Sequence, residues 1–487
     1  MRHTSTELSY PVRWAVVAKY LAQLCLVIAA LTAVPAVVAV LVAEYQSFAA
    51  FTIVTLMLTS VGLLGSRIDT PATIQTNEAL LISCAAFLVT AIMMTVPMMK
   101  FGLSPSDALF ESISAVTTTG LSTQADVQSK SWAFLFARAW IQWYGGLGIV
   151  MFSVALITRS GGTAKALMIA DASDTESPVG VRLHARRVLI AYSALTIVGC
   201  ILVATCGVGI MNAVCYSMAA VSTGGFSPHD DSVRGINLGG QVAVTLVSFG
   251  GAVPLYLYYR SYLDGWKAFL RDSQLRSLFV AACVVSILLS ICMFVISHRS
   301  TDDSLVGATL LAVSAQTTTG FEPLEVASLG DSEKLFLMAP MLIGGSMGSS
   351  AGGIKLVRLL ILVQLLRMAV VRASQPRHVV NKPHLFGHAL SEKEIEEAST
   401  LLFAFIALIF VSWLPFVMLG YNPLDSLFEV VSACGTVGLS SGITSEDLPL
   451  VLKLVLSADM LMGRLEIYAW LVVLSGRTWI GKKVVSS

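Results

Sequence analysis

Charge is scarce along this chain. Only 13% of its 487 residues are Asp, Glu, Lys or Arg, where a soluble domain carries about 25%. With 55% hydrophobic residues and a mean hydropathy of +0.78, that shortage excludes an ordinary soluble domain and points to an integral membrane protein. Net charge is only +1, so no case for nucleic acid or an anionic surface can be built on it. Length is no guide to domain number, because a membrane bundle grows by adding helices rather than cores.

Other absences narrow the field further. The eight cysteines, Cys25, Cys84, Cys200, Cys206, Cys215, Cys283, Cys292 and Cys434, include no CxxC pair. They read as small buried hydrophobes rather than disulfides or metal ligands. The histidines lack a metal pattern: His384 and His388 are four apart, but Gly387 intervenes, Pro383 adjoins, and no further ligands are evident. There is no Walker motif and no GxGxxG after a strand, hence no nucleotide site in the chain itself. A His-Asp-Ser constellation and paired carboxylates on one face are missing too, so the reading is a non-enzyme with no covalent cofactor.

What the chain does have is apolar length. A membrane-crossing helix needs about 20 apolar residues, and ten segments qualify, near 16–43, 48–65, 79–99, 133–157, 187–210, 238–259, 277–297, 335–363, 399–420 and 449–475. The first run outlasts the roughly 7–15 residues of a secretion-signal core, so the first two segments read as a retained hairpin. Between later segments lie stretches too short to span and too apolar for loops, at 105–118, 211–223, 305–318 and 423–436. Basic residues crowd alternate loops: Arg159, Lys165, Arg182, Arg186 and Arg187; then Lys267, Arg271 and Arg276; then Arg367, Arg372, Arg377 and Lys382; then Arg477, Lys482 and Lys483 in the tail. Acidic Asp126, Asp230, Asp231, Asp331 and Glu333 stand on the other side. By the positive-inside rule the basic loops and both termini face the cytoplasm. The cluster Glu392, Lys393, Glu394, Glu396 and Glu397 reads as a solvated helix start.

Each short stretch ends in a Thr/Gly run, and the four runs align without gaps. They read AVTTTGLS (Ala115 to Ser122), AVSTGGFS (Ala220 to Ser227), AQTTTGFE (Ala315 to Glu322) and ACGTVGLS (Ala433 to Ser440). Gly120, Gly225, Gly320 and Gly438 recur at spacings of 105, 95 and 118. Upstream, PSDALFESISA and PLDSLFEVVSA share Pro, Asp, Leu-Phe-Glu and Ser-Ala at equal offsets. Such a period signals internal repetition. Non-helical backbone at membrane depth is tolerated only where it is buried in protein or lines water. Four short helices around one axis would aim the negative ends of their dipoles at a cation, and extended Thr-x-Gly runs can turn carbonyl oxygens inward to replace its water shell. The competing reading is helix packing through small residues.

The expected fold is thus an all-α membrane protein: an N-terminal hairpin (1–68), then four helix–pore-loop–helix repeats around one pore (69–165, 166–272, 273–385 and 386–487). The expected ion-binding residues are Thr117, Thr118, Thr119, Gly120, Ser222, Thr223, Gly224, Gly225, Thr317, Thr318, Thr319, Gly320, Gly435, Thr436, Val437 and Gly438.

At these residues the chain resembles the TrkH/KtrB superfamily of bacterial potassium transporters, and its TrkH branch more closely. QWYGGLGIV (Gln142 to Val150), GGSMGSSAGGIKLVR (Gly344 to Arg358) and MGRLEI (Met462 to Ile467) resemble further segments of that family, as does the N-terminal hairpin. The resemblance implies potassium uptake across the bacterial inner membrane, with the Thr/Gly runs as selectivity filter. It implies a flexible intramembrane gate built on Gly344, Gly345, Gly348, Gly352, Gly353 and Lys355, with Arg464 as an electrostatic barrier or gate partner. Physics agrees, since each Gly is about 1 kcal/mol worse than Ala in a helix and an Arg at membrane depth is a functional candidate by default. The alternatives are a Gly-rich helix crossing and an Arg464 paired structurally with Asp459 or Glu466. In related plant transporters a Ser at the first filter glycine goes with sodium preference, so Gly120 favours potassium. Gly435, Gly224 and the mouth carboxylate of Glu322 depart from the family pattern, and Glu322 is placed to concentrate cations or alter selectivity. A homodimer and a cytosolic nucleotide-binding regulatory ring of the TrkA type are implied as partners. The rival mechanism is a transporter coupled to sodium or protons, for which Arg138, Lys355, Asp459, Arg464 and Glu466 are the available intramembrane charges.

Overall fold

The computed structural model describes residues 11–71, 74–157, 178–374 and 383–479. Arg159, Lys165, Arg377, Lys382, Lys482 and Lys483, which carry part of the charge argument, lie outside the described residues. A hairpin, α1 (Trp14–Leu41) and α2 (Tyr45–Ser66), comes first. Four units follow, each made of a long outer helix, a short helix and an inner segment.

The first unit is α3 (Thr76–Met99), α4 (Pro105–Val116) and α5 (Trp132–Ile157). The second is α6 (Pro178–Thr205), α7 (Ile210–Val221), α8 (Leu238–Ala252) and α9 (Leu255–Asp264), with α10 (Trp266–Arg271) as a connector. The third is α11 (Ser273–Ile291), α12 (Ala308–Gln316), α13 (Asp331–Ile343) and α14 (Leu356–Ala373). The fourth is α15 (Glu392–Met418), α16 (Pro423–Gly435), α17 (Leu450–Arg464) and α18 (Glu466–Leu474), before a last turn, α19 (Gly476–Trp479). A small hairpin, β1 (His384–Leu385) and β2 (His388–Ala389), precedes the fourth unit and carries the two histidines. Among the described residues no group of His, Cys, Asp and Glu is arranged to hold a metal ion, and the cysteines are unpaired.

Among the described residues six helices are long and apolar enough to cross a membrane: α1, α2, α3, most of α6, α11 with its π-helical extension, and α15. Their outward faces carry large exposed apolar side chains such as Leu56, Ile197, Phe279 and Phe403, which only a lipid surround makes favourable over such an area. The chain is therefore a multi-pass membrane protein. Local chemistry explains where the short helices begin. Ser104 and Asn422 cap α4 and α16 through side-chain oxygens, with Pro105 and Pro423 at the first helical position, where a missing N–H costs nothing. Ser391 and Glu394 form a capping box at the start of α15, so the acidic cluster is indeed a helix start.

Three expected spans are not continuous. The segment 238–259 bends by 87° between α8 and α9, because Pro254 can donate no hydrogen bond and forces Val253 into extended backbone. The segment 449–475 breaks between Arg464 and Glu466, where Glu466 takes a left-handed φ of 56°. The inner segment of the third unit is interrupted by residues 344–355, as its glycines lead one to expect. Only α5, of the four inner segments, runs on as one helix.

Candidate functional site

Each short helix ends the same way. Thr118, Thr223, Thr318 and Thr436 leave the helix with left-handed φ values of 51°, 52°, 53° and 50°. The amide of each donates to the carbonyl three residues back, and the next amide to the carbonyl five residues back, at 2.7–3.1 Å. This is the Schellman closure of a helix, which ordinarily uses glycine at the left-handed position. A β-branched residue there is an outlier, and strain of this kind persists only where the surroundings impose it. Here it occurs four times. The hydroxyls of Thr118 and Thr436 are buried without a hydrogen-bond partner among the described residues.

Two residues further on, the glycines close a ring. A Cβ on Gly120 would collide with the carbonyl oxygen of Gly224, one on Gly225 with that of Thr319, one on Gly320 with that of Val437, and one on Gly438 with that of Thr119. Each run thus packs against the next, and the fourth returns to the first. All four glycines have φ between 76° and 95°, open to glycine and strained for other residues. The expected ion-binding residues meet in this ring. Not all of their side chains are free to face an ion, however. Thr117 and Thr317 turn their hydroxyls back to Ile113 and Val313 and pair with Thr119 and Thr319 at 2.8 Å, while Ser222 bonds to Met218. Gly435 is the last residue of α16 and offers backbone alone.

Inner segments seat the short helices. Gly145, Gly251 and Gly463 lie so close to the carbonyls of Val116, Val221 and Cys434 that no side chain would fit. In the third unit the same register is held by Gln316, whose Nε2 donates to Gly344 O at 2.7 Å. Gln142 braces the second run from α5, donating to Gly224 O at 2.5 Å and accepting from Phe226 N at 3.1 Å. Sequence reading quoted Gln142 within a motif but gave it no role.

A second set of braces was also missed. Glu111 accepts a short hydrogen bond from Ser122, and Glu429 accepts from Ser440 at 2.6 Å. Tyr216 and Ser227 make the equivalent contact at 3.1 Å. In the third unit Leu311 occupies the helix position, and the carboxylate is instead Glu322 in the run, accepting from Ser440 N at 3.3 Å. The shared Leu-Phe-Glu was the visible signal for two of these. Glu111 also pairs with Arg138 at 3.2 Å, whose guanidinium lies 3.8 Å from the centre of the Phe226 ring. Ion pairs tie neighbouring units: Lys453 to Asp107 and Lys334 to Asp425, both at 2.6 Å.

Residues 344–355 fold beneath the ring. Gly352 N donates to the Thr318 hydroxyl at 2.7 Å, and a Cβ on Gly352 would strike the Thr436 hydroxyl and the Gly435 carbonyl. Ser350 Oγ donates to Val221 O and Gly251 O at 2.7 and 2.9 Å. Gly348 O accepts from Leu255 N at 3.1 Å, so the bend after α8 receives the loop. Gly345 packs on Ala252 and Ala351. Gly344, Gly348, Gly353 and Lys355 all have positive φ, and Lys355 Nζ donates back to Ala351 O.

Arg464 is 3% exposed; its Nη1 donates to Ser350 O at 2.8 Å, while Nε and Nη2 have no partner among the described residues. The alternative pairings do not form. Asp459 accepts from Ser412 at 2.6 Å, and Glu466 pairs with Arg358 at 2.7 Å. The break between α17 and α18 therefore sends Arg464 to the loop and Glu466 to the helix after it.

A family model described as TrkH, cation transport protein, matches residues 44–479. An uncharacterized cation transporter of Methanocaldococcus jannaschii is 28% identical over 449 residues, 92% of each chain. The Trk system potassium uptake protein TrkG of Escherichia coli is 28% identical over 426 residues, covering 83% of this chain and 86% of its own. The crystal structure of the potassium transporter TrkH from Vibrio parahaemolyticus shares the fold, with a TM-score of 0.86 at 22% identity over 96% of this chain and 100% of that one. A continuous family match across the four units and their ring places the chain in the TrkH family of cation transport proteins.

Proposed function

We propose that this protein carries potassium into the cell through a gated, channel-like path across the bacterial inner membrane, with both termini in the cytoplasm. The closed ring of four Thr-x-Gly runs is the observation that carries the reading. Rings of backbone carbonyls replace a cation's hydration shell, and four helix C-termini converging on the ring add negative potential there. In this reading Thr118, Thr223, Thr318 and Thr436 with their glycines hold the ion, which is cargo rather than cofactor. Potassium as the cargo is supported by relatives named as potassium uptake proteins.

Gating is supported by the loop 344–355 bonded directly under the ring. Its hydrogen bonds to Thr318 and to backbone around Val221 and Gly251 make it the obstacle an ion would meet next, and the Arg464 cation behind it adds an electrostatic barrier. We further propose a homodimer regulated by a cytosolic nucleotide-binding ring of the TrkA type that moves this loop; transport without chemistry on a substrate makes the protein a non-enzyme. Rubidium-tracer uptake into proteoliposomes, competed by potassium, sodium or caesium, tests the reading. Block by potassium with little effect of sodium is expected. Equal competition by sodium overturns potassium selectivity, and uptake that requires an imposed sodium or proton gradient replaces the channel by a coupled transporter.

A further inference from the structure

Beside the loop, on the membrane side, is a cavity of about 430 Å³. Ligand sites run to about 300–1,000 Å³. α11 supplies one wall through Ala281 and Val284, and Ile343 and Leu356 supply the other. These last two are the residues that bracket the loop 344–355. At the base lies Gln316, fully buried, with Nε2 on Gly344 O and Oε1 without a partner among the described residues. The cavity thus touches both hinges of the loop and the side chain that holds its first residue.

Val280 and Val284 are 58% and 49% exposed on a helix long and apolar enough to span, so the opening faces the acyl region of the bilayer. Arg276, one helical turn before Val280, also lines the cavity; it is exposed, its Nε donates to Leu270 O at 3.0 Å, and among the described residues it forms no ion pair. Exposed Lys267 and Arg271 precede it, on the side that the basic loops assign to the cytoplasm. An apolar slot with a cation at its cytoplasmic rim matches an anionic lipid, chain inward and phosphate outward, and guanidinium is suited to phosphate oxygens.

We propose that this cavity binds one acyl chain of an anionic phospholipid whose phosphate sits on Arg276, and that the bound chain wedges between α11 and the two hinges of the loop. The effect on flux rests on the proposed gating role of that loop; the binding does not.

The test uses the full-length chain. Native mass spectrometry of the purified protein, titrated with phosphatidylglycerol or phosphatidylcholine, should show about tenfold preference for the anionic lipid. Arg276→Gln should abolish the preference, and Ala281→Trp, which fills the slot, should remove binding of both lipids. Val280→Trp at the mouth serves if Ala281→Trp misfolds. Rubidium uptake should then differ between phosphatidylglycerol-containing and all-phosphatidylcholine vesicles for the wild type and not for Ala281→Trp. Equal retention of both lipids by wild type and variants overturns the site, as does a disulfide linking two Val280→Cys copies, which would mean a second copy covers the mouth. Lipid preference without any rubidium uptake would leave the site standing and sink the transport reading instead.

Discussion

The carbonyl oxygen of Thr119 occupies the place a side chain on Gly438 would need. The first and last Thr/Gly runs therefore touch, and the backbone ring is complete. A substitution at any of the four glycines strains φ and pushes one quarter of the ring off its neighbour. Gly120→Ser should lower discrimination of potassium over sodium about tenfold, the effect of an overpacking cost of about 1–3 kcal/mol. Sodium competition against rubidium uptake measures it; unchanged competition would remove the ring from the selectivity mechanism.

Arg464 holds the loop through one hydrogen bond to Ser350 O. A bond to a charged group contributes about 1.5–3 kcal/mol, so Arg464→Ala should raise initial rubidium flux about tenfold if the loop is the obstacle. Deleting residues 346–352 should do at least as much. A folded, monodisperse variant with lower flux would show that loop and arginine serve conduction rather than closure.

Arg358 and Glu466 form the second restraint, at 2.7 Å. Glu466→Gln should raise flux, and the swap Arg358→Glu with Glu466→Arg should restore it. A double-mutant cycle in flux should give a coupling of about 1 kcal/mol. Additive effects would mean the pair is only packing.

Glu322 stands where the other runs carry Ser122, Ser227 and Ser440, and it reaches across to the Ser440 amide. Glu322→Ser should raise the rubidium concentration for half-maximal uptake several-fold at low ionic strength, and somewhat less in salt, because a half-buried carboxylate is only partly screened. Glu322→Gln keeps the strut and drops the charge. If Gln behaves as wild type, the residue is a brace and not a cation attractor.

Much of this was legible beforehand because repetition multiplies a weak signal. One Thr/Gly run is a loop; four at the end of short apolar segments define Pro105–Val116, Ile210–Val221, Ala308–Gln316 and Pro423–Gly435 to within a few residues. The hairpin followed from apolar length, and the interruption at Gly344 from the family resemblance, with the glycine content in agreement. The bend at Pro254 and the break at Leu465 did not, since both sit inside runs apolar enough to span, and hydropathy is blind to φ. Proline at 254 was a local warning. Nothing local marks Glu466 as left-handed, and the partner its carboxylate meets there, Arg358, is distant in sequence. The braces from Glu111, Glu429 and Gln142 were hidden for the same reason, as pairing partners cannot be read from spacing alone.

Because the ring is written four times in a single chain, its quarters are free to diverge. In an assembly of four identical subunits every change at the pore is made fourfold and must be tolerated fourfold. Here one codon alters one quadrant. A carboxylate at Glu322, a glycine pair at Gly224 and Gly225, and a valine at Val437 can each be tried alone, giving this architecture graded, lopsided variants of a pore that a symmetric tetramer could sample only by mixing subunits.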